Sequence, residues 1–440
     1  MPERERTMEA STMRAVTWRL MPFLVLLYLV AYIDRSNVGF AKLTLQGHLG
    51  LSNAAFTLGQ VAFFIAYACC EIPSNILLEK FGARRWFTRI MIGWGGVTML
   101  TALVSNSWQF YLARLLLGVA EAGFYPGVLY YLTKWYPYRH RARIVGYFMM
   151  AQPLAFLIGN PVMGALDGLD TFGLSGWQWI FIGTGIPALL LGFVTIRCLP
   201  DGPDRVRWLD EEQRGWIASE LATEDARNTS HPSPLRALRD RRVVCLALFF
   251  LCFPLGAYGL SFWLPTIVSD FGGLTGTQIG LVTAIPYLFV ALGLYVVPKV
   301  ADRRGDRYPW IAGTAALGAL GLAASTVFTD PVLRMAAISL AALGIYAGQP
   351  VLWSLPSRFL TGVEAASGIA LINAVGNLGG GFGPLGIGAI ADRTGSPVTG
   401  LWFLVAAMAV AAATTYGVKR VLERGQDQSL KTSRGAAVAE

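Results

Sequence analysis

The segment GLSNAAFTLGQVAFFIAYACCEIPSNILLEKFGARRW occupies residues 50–86 and shares its plan with a second segment at residues 273–310. The second segment opens with GLTGTQIGLV and closes with VPKVADRRGDRYPW, so each begins with glycine and leucine and ends in a basic loop containing glycine. Two glycine-rich runs, GNPVMGALDG at 159–168 and GNLGGGFGPLGIGAIADRTG at 376–395, lie at matching places in the two halves. An offset of roughly 220 residues between such pairs predicts an internal repeat that divides the chain in two.

The amino-acid composition is typical of a protein that lies in lipid. Of the 440 residues, 54% are hydrophobic and 14% are charged, and the mean hydropathy is +0.49. Apolar runs of about 20 residues recur from Leu20 onward, which is the length that an α-helix needs to cross a bilayer. A soluble chain of this length would form two or three domains with alternating polar faces. The sequence therefore predicts an all-α membrane protein and disfavours a soluble enzyme.

Hydropathy predicts twelve transmembrane helices, six on each side of a segment rich in charges of both signs. That segment, residues 200–242, is predicted to be a cytosolic loop between an N-terminal bundle at 20–199 and a C-terminal bundle at 243–420. Two repeats of six spans predict a central cavity, with the substrate site at the interface of the bundles. The predicted spans are residues 20–42, 55–78, 86–105, 108–133, 142–166, 177–199, 243–268, 277–300, 309–328, 333–357, 364–391 and 399–420.

Basic residues predict the orientation of these helices. The net charge of +9 and the isoelectric point near 9.4 could indicate nucleic-acid binding. The basic residues, however, lie between apolar runs and form no continuous surface, so no nucleic-acid partner is predicted. They concentrate in the loops on the same side as residue 1, and the positive-inside bias therefore places both termini in the cytosol. Residues 1–19 and 421–440 are predicted to be cytosolic tails.

Cysteine and histidine residues give no indication of a metal site or a disulfide. The five cysteines lie in or beside apolar runs, and the three histidines form no ligand spacing with them. The N-terminal segment lacks a small-residue cleavage site and leads into a span too long for the core of a signal peptide. We predict no cofactor and no metal, and a retained N-terminal tail.

Opposite charges inside the predicted spans are the main candidates for a functional site. In the first span, the run LLYLVAYI is followed directly by Asp34 and Arg35. A charge at the centre of a membrane helix costs at least ~2.5–3.5 kcal/mol on insertion scales, so both should face the protein interior. Arg114 and Glu121 lie on one face of the fourth span, about 10 Å apart along its axis. Gly118 between them would leave space for a ligand.

The formal charges of these four residues sum to zero. Protonation of Asp34 or Glu121 would therefore make the cavity positive and able to bind a carboxylate. Arginine presents a planar fork that suits two carboxylate oxygens and stays charged at any relevant pH. The alternative is that the charges form two internal salt bridges that only hold the bundle together.

The basic loop between the second and third spans, with its counterpart between the eighth and ninth, resembles the signature of the major facilitator superfamily. The resemblance covers nearly the whole chain. Three segments are similar to one branch, the anion:cation symporter family: YIDRSNVGFA at 32–41, EIPSNILLEKFGARRW at 71–86 and RLLLGVAEAGFYPGVLYYLTKWYP at 114–137. That family includes carriers for tartrate, phthalate and sugar acids. Glu79 and Lys80 depart from the general superfamily pattern, in which an aspartate–arginine pair is commonest.

The resemblance implies roles for individual residues of the N-terminal half. Four ionisable side chains would act in the transport cycle: Asp34 and Glu121 as proton sites, and Arg35 and Arg114 as contacts or gates for the anion. Tyr67 and Gln152 match substrate-contacting positions. Tyr67 could equally be an interior aromatic residue, and Gln152 could satisfy backbone groups released by Pro153.

Polar side chains are the candidates in the C-terminal half, which has no comparable charge pair. They would bind substrate hydroxyls or a distal carboxylate: Trp353, Ser354, Asn373 and Asn377. The resemblance favours Ser354 and Asn377, although serine and asparagine among glycines can also serve helix–helix contact. Charged residues of the two basic loops are predicted to gate the cytosolic side: Glu79, Arg84, Arg85, Asp302, Arg303 and Arg304.

Taken with the resemblance, the residues predict a monomeric, proton-coupled symporter in a bacterial inner membrane. It would import a small organic anion by alternating access, with a tartrate-like dicarboxylate favoured over phthalate-like and sugar-acid substrates. Two alternatives remain open: a passive anion uniporter or channel-like carrier, and a proton-coupled exporter, because GNPVMGALDG loosely resembles a motif of such exporters. A membrane enzyme lacks support, since no nucleophile–base or metal constellation lies near the carboxylates.

Overall fold

The structure, a computed structural model, describes residues 3–227, 240–356 and 362–438. Part of the predicted central loop, the last residue of the tenth predicted span with the loop after it, and the extreme termini lie outside these ranges. The helices are α1 Glu3–His48, α2 Asn53–Phe81, α3 Ala83–Thr101, α4 Ser107–Glu121, α5 Phe124–Thr133, α6 Tyr138–Met149, α7 Ala151–Asp167, α8 Gly176–Cys198, α9 Glu211–Arg227, α10 Arg241–Ser269, α11 Gly276–Arg304, α12 Tyr308–Val327, α13 Pro331–Ala347, α14 Gln349–Trp353, α15 Gly362–Thr394 and α16 Pro397–Val438, with a 3-10 turn at Pro203–Arg205.

The all-α prediction is confirmed, and helices lie at every predicted span. Within the described part of the chain, ten helical segments are long and apolar enough to cross a membrane. The third and eleventh predicted spans, α3 and α15, are helical but fall outside that set. The reason for α3 is that three arginines lie within its first seven residues, whereas glycines and asparagines dilute the hydropathy of α15.

Three predicted boundaries differ from the observed ones. Helix α1 begins at Glu3, because the predicted N-terminal tail continues the same helix, and it ends at His48 rather than at residue 42. Helix α16 runs to Val438, so the predicted C-terminal tail from residue 421 continues that helix. The predicted central loop contains the charged helix α9, whose Glu220 and Glu224 bind Arg139 and Arg141 of α6. The predicted tails and the predicted central loop therefore contain helical structure, which the sequence analysis did not predict.

Prolines interrupt three of the predicted spans. A proline has no N–H and its ring clashes with the carbonyl group four residues earlier, so it either kinks a helix or ends it close to that position. Pro126, Pro153 and Pro350 follow the ends of α4, α6 and α13 in this way. At the first break Gly123 has a φ of 85°, in the left-handed region that glycine adopts without strain. A methyl group at Gly123 would also lie 2.3 Å from Ser74 Oγ.

The helices assemble into two compact units. The first comprises Met1–Leu51, Ala62–Thr229 and Gly273–Ala284. Within it α1 packs on α7 and α8, and α3 packs on α8 and α4. Large aromatic side chains fill its interior, among them Trp94 and Trp135, which are fully buried.

The second unit comprises Ser52–Val61, Ser230–Gly272 and Ile285–Glu440. Within it α10 packs on α15 and α16, and α12 packs on α13 and α16. This pairing scheme follows that of the first unit and supports the internal repeat. Helices α10 and α15 approach closely, since a methyl group at Gly383 would lie 2.3 Å from the Leu255 carbonyl oxygen.

The beginning of α2 belongs to the second unit, where Asp392 caps it. Asp392 Oδ1 accepts a hydrogen bond of 2.8 Å from the backbone N–H of Asn53, and Oδ2 accepts one of 2.9 Å from Ala54. A carboxylate at a helix N-terminus satisfies exposed N–H groups and complements the helix dipole. The predicted division into bundles at 20–199 and 243–420 stays a prediction, and each unit takes one segment from the other half of the sequence.

Candidate functional site

Asp34 is fully buried on α1, as its place in an apolar run predicts. Its Oδ1 accepts a hydrogen bond of 3.1 Å from Asn37 Nδ2, and the same amide group lies 3.1 Å from Thr184 Oγ1 of α8. Thr98 of α3 also lies within hydrogen-bonding reach of the Asp34 carboxyl group. A carboxyl group buried in this way is costly to ionise, so Asp34 is a candidate for taking up a proton.

Arg35 and Glu121 form a buried ion pair between α1 and α4. Arg35 Nε donates to Glu121 Oε1 over 2.5 Å, and the side chains are only 9% and 0% exposed. The guanidinium group also stacks on two aromatic rings, with its Cζ 5.1 Å from the ring centroid of Tyr67 and 5.5 Å from that of Tyr32. The structure thus brings a predicted proton site, a predicted anion contact and the predicted Tyr67 together.

Arg114 belongs to the same cluster. It is 2% exposed, and its Cζ lies 4.8 Å from the ring centroid of Phe63 on α2. Asp34 and Glu121 both lie within electrostatic reach of its guanidinium group. The four ionisable residues predicted from the sequence are therefore buried near one another in the first unit.

The expectation that Gly118 leaves space for a ligand is wrong. A methyl group at Gly118 would lie 2.3 Å from the Phe63 carbonyl oxygen and 3.0 Å from Ala66 Cβ. The missing side chain lets α4 approach the backbone of α2 closely, which is the usual role of glycine between membrane helices. This close approach places Phe63 under Arg114.

Sequence reasoning missed three polar residues around Asp34. Asn37 donates to the Asp34 carboxyl group and to Thr184 Oγ1 of α8. Thr98 of α3, which is fully buried, lies within hydrogen-bonding reach of the same carboxyl group. Part of the signal was present in the sequence, because Asn37 follows Asp34 by one helical turn.

Aromatic rings line α1 on the side of Gln152. Tyr28 stacks on Phe148 with ring centroids 4.2 Å apart, and Tyr32 meets Phe156 edge-on at 6.1 Å. Phe148, Gln152 and Phe156 are spaced by four residues across the junction of α6 and α7, so Gln152 lies between two rings that contact α1. Gln152 is half-buried. The aromatic residues of this set were not predicted.

The candidates of the C-terminal half lie in the second unit and are described separately. Trp353 contacts Phe250 edge-on, with ring centroids 4.7 Å apart. The Ser354 hydroxyl donates to the Val351 carbonyl within its own helical turn over 2.5 Å. Asn373 and Asn377 on α15 are half-buried. Their predicted contacts with substrate stay predictions.

The first predicted gating loop is ordered by a residue that the sequence did not single out. The backbone N–H of Arg84 donates to Asp201 Oδ1 over 2.9 Å, and Arg84 Nε donates to the Ile196 carbonyl. Gly82 precedes α3 with a φ of 85°. Glu79 and Arg85 are exposed. Asp201, just after α8, therefore caps α3 and fixes the loop.

The second predicted gating loop carries its own ion pair. Asp302 Oδ1 lies 3.3 Å from Arg307 Nη2, and Arg307 Nη1 donates to the Ser354 carbonyl over 3.3 Å. Arg304 Cζ lies 5.6 Å from the ring centroid of Trp310, and Arg303 is exposed. The gating roles of both loops stay predictions.

The glycine-rich run of α7 makes tight helix contacts within the first unit. Asn160 Nδ2 donates to the Thr283 carbonyl over 3.1 Å. A methyl group at Gly164 would lie 2.2 Å from the Gly276 carbonyl oxygen, and one at Gly280 would lie 2.4 Å from the Asn160 carbonyl oxygen. These residues join α7 to the first turns of α11, so close packing accounts for them without a ligand.

Long apolar helices in a repeated arrangement, with buried charges among them, define an integral membrane transporter. The model of the Major Facilitator Superfamily matches residues 24–384, and the chain belongs to that family. It is 48% identical to a quinolone resistance transporter of Acinetobacter baumannii, over 97% of this chain and 99% of that protein. It is 41% identical to a proposed tartrate transporter of Agrobacterium vitis, over 97% and 94%, and 39% identical to the inner membrane transport protein RhmT of Escherichia coli, over 83% and 86%.

Solved transporter structures have the same fold. A bacterial homologue of the human lysosomal transporter Spinster, inward-facing and unoccupied, superimposes with a TM-score of 0.73 over 92% of this chain and 97% of its own, at 17% identity. The xylose transporter XylE of E. coli, partially occluded and inward open, gives a TM-score of 0.71 over 91% and 98%, also at 17% identity. The predicted superfamily and fold are confirmed.

Proposed function

We propose that this transporter is a proton-coupled symporter that imports a small organic anion across the bacterial inner membrane. The observation that carries the proposal is the Arg35–Glu121 ion pair beside the buried Asp34 carboxyl group. Two carboxylates and two arginines in one buried cluster provide a place for protons and a place for an anion. Static structural pairs would need only the Arg35–Glu121 ion pair, and would give no role to a second carboxyl group that is fully buried beside it at Asp34.

Protonation of Glu121 removes the negative charge that holds Arg35. The guanidinium group then offers its planar fork to a substrate carboxylate while it remains stacked on Tyr67. Arg114 provides a second positive charge, which suits the second carboxylate of a dicarboxylate. Substrate and proton thus stabilise each other in the site, and this mutual dependence is the physical basis of symport.

Release on the cytosolic side reverses these steps. Glu121 loses its proton, restores the ion pair with Arg35 and expels the anion. Both termini lie in the cytosol in this proposal, and the loops at 79–85 and 302–307 close that side of the protein in the outward-facing state. The empty carrier returns only after deprotonation, so uptake is tied to the proton gradient.

A tartrate-like dicarboxylate is the favoured substrate, followed by phthalate-like anions and sugar acids. The similarity to a proposed tartrate transporter over nearly the whole chain supports this choice. The aromatic rings beside Arg35 would also suit an aromatic acid, since Tyr32 and Tyr67 both turn a ring face towards the Arg35 guanidinium group.

Proton-coupled export is the second candidate. One observation favours it, namely the 48% identity to a quinolone resistance transporter. A quinolone also carries a carboxylate, so the same arginines would bind it and only the direction of coupling would differ. A passive uniporter remains the third possibility.

Reconstitution in proteoliposomes separates the three functions. With protein inserted and an inward proton gradient imposed, a symporter accumulates labelled tartrate above the equilibrium level, and a protonophore abolishes the accumulation. A uniporter only equilibrates the anion, and an exporter drives substrate against the proton flux. A prior thermal-shift screen with tartrate, phthalate, galactonate and a quinolone selects the labelled compound.

A further inference from the structure

A cavity of about 610 Å³ lies in the first unit beside the N-terminal part of α1. We call it the α1–α6 cavity. Its lining includes Arg14 and Trp18 of α1, and Arg143 and Tyr147 of α6. None of these residues contributes to the buried charge cluster, and the proposed transport cycle leaves the cavity without a role.

Both walls of the α1–α6 cavity change from polar to apolar at the same level. On α1 the charged residues of the N-terminal tail end at Arg19, next to Trp18, and an apolar run begins at Leu20. On α6 the basic sequence YRHRAR is followed by Ile144. Trp18 is 74% exposed and Tyr147 is 44% exposed, as expected for aromatic side chains at the boundary between lipid and water.

The charges facing the cavity favour an anion. Glu9 also lines it, but its Oε1 is held by Arg139 Nε over 2.6 Å and by His140 Nε2 over 2.7 Å. Arg14 and Arg143 form no ion pair with another described residue. Arg143 Nε donates to the Tyr147 hydroxyl over 2.7 Å, which holds its guanidinium group at the rim.

We infer that the α1–α6 cavity binds the phosphate group of an anionic phospholipid in the leaflet where α1 enters the membrane. Arg14 and Arg143 bind the phosphodiester, and Trp18 and Tyr147 lie against the glycerol and the first acyl carbons. A lipid fits better than a soluble phosphate, because the walls continue into the apolar surfaces of α1 and α6 and because exposed aromatic rings flank the charges. Bound lipid would hold the N-terminal part of α1 against α6.

Lipid binding to the purified, detergent-solubilised transporter tests the inference. The probes are phosphatidylglycerol, phosphatidylcholine and phosphatidylethanolamine, titrated in micelles and followed by native mass spectrometry. The variant R14Q/R143Q removes both basic groups from the cavity. The matched control R197Q/R207Q removes two exposed arginines of the same unit that lie outside the cavity.

The expected result is that phosphatidylglycerol binds R14Q/R143Q about 30-fold more weakly than wild type, from about 1 kcal/mol for each arginine near an anionic lipid. The control keeps wild-type affinity. Brominated phosphatidylglycerol should quench tryptophan fluorescence in wild type, and W18F should lose that part of the quenching. All of these substitutions are at exposed positions, so the variants should fold.

Three results would overturn the inference. If R14Q/R143Q and the control bind phosphatidylglycerol with equal affinity, the α1–α6 cavity is not the lipid site. If wild type binds phosphatidylcholine or phosphatidylethanolamine as tightly as phosphatidylglycerol, the cavity does not prefer an anionic headgroup. Displacement of phosphatidylglycerol by millimolar inorganic phosphate would assign the cavity to a soluble anion instead.

Discussion

Arg35 and Glu121 are 86 positions apart in the sequence, and their side chains meet at 2.5 Å in the interior of the first unit. The pair joins α1 to the last residue of α4, directly before the helix breaks at Ala122 and Gly123. Glu121 therefore lies where the backbone is not locked into a continuous helix.

Glu121→Gln should separate substrate binding from proton coupling. The amide mimics the protonated carboxyl group, so binding and exchange of labelled for unlabelled substrate should stay within about threefold of wild type, while accumulation driven by a pH gradient disappears. Both activities are measured in the same proteoliposomes. Asp167→Asn, which changes a carboxyl group elsewhere in the first unit, is the control and should accumulate substrate normally. Loss of exchange together with uptake would assign Glu121 to binding or gating.

Asp34→Asn tests the second carboxyl group. Asparagine keeps an acceptor for the Asn37 amide, so folding should be unaffected, and gradient-driven uptake should fall while exchange persists. The measurement is the ratio of accumulated to exchanged substrate. If Asp34→Asn and Glu121→Gln both accumulate substrate like wild type, neither residue carries the coupled proton and the charges are structural.

Arg114→Lys should weaken substrate binding by roughly tenfold or more although the charge is kept. An ammonium group cannot form the two parallel hydrogen bonds of a guanidinium group with a carboxylate, and such charged hydrogen bonds are worth about 1.5–3 kcal/mol. Binding is measured by calorimetry or by the substrate-induced thermal shift. An affinity close to that of wild type would remove Arg114 from the anion site.

Gly118→Ala should destabilise the protein by about 1–3 kcal/mol, the usual cost of overpacking a tight contact. The added methyl group would overlap the Phe63 carbonyl oxygen, and α2 and α4 would have to move apart. The control is Gly96→Ala on α3, where nothing lies within 4 Å of the added group. Thermal unfolding in detergent should separate the two variants, and equal melting temperatures would contradict the close approach of the helices.

The lowered pKa of Asp240, the residue before α10, should make the stability of the folded protein depend on pH. Burial raises the pKa of Asp240, but the hydrogen bonds and the charge of Arg242 outweigh burial and hold the pKa below its usual range. The charged form is thus favoured by folding, and its stabilisation is complete above the unfolded-state pKa of about 3.9 and is lost as pH falls through the lower folded-state pKa.

Asp240→Asn isolates that effect, because asparagine is also a good N-cap residue. The variant should melt below wild type at neutral pH, and the gap should close as the pH falls below about 4. The control is the melting temperature of the two proteins at high salt, which should narrow the gap at neutral pH as well. A gap that is constant with pH would mean that the charge of Asp240 contributes nothing.

The sequence was sufficient to predict the helices and the burial of the four ionisable residues. Both follow from hydropathy and from the cost of a charge in lipid, which depend on residues close together in the sequence. It did not predict that Arg35 pairs with Glu121, because that contact depends on how α1 and α4 pack. The wrong expectation for Gly118 has the same origin, since the space beside a glycine is decided by the neighbouring helix. The interruption between α4 and α5 could have been predicted from Pro126. The conformation of the chain there could not, because it depends on the contact of Gly123 with Ser74.

The exchange of segments between the two compact units has a consequence for biosynthesis. Residues 52–61 leave the ribosome long before α10 and α15, yet they pack in the second unit, where Asp392 caps the start of α2. Residues 273–284, which complete the first unit, are likewise made after most of that unit. The first unit can therefore finish folding only after residue 284 has been made, and the second only after α15 and α16 have been made. A truncated N-terminal half that ends before residue 273 should remain a substrate for membrane chaperones and proteases.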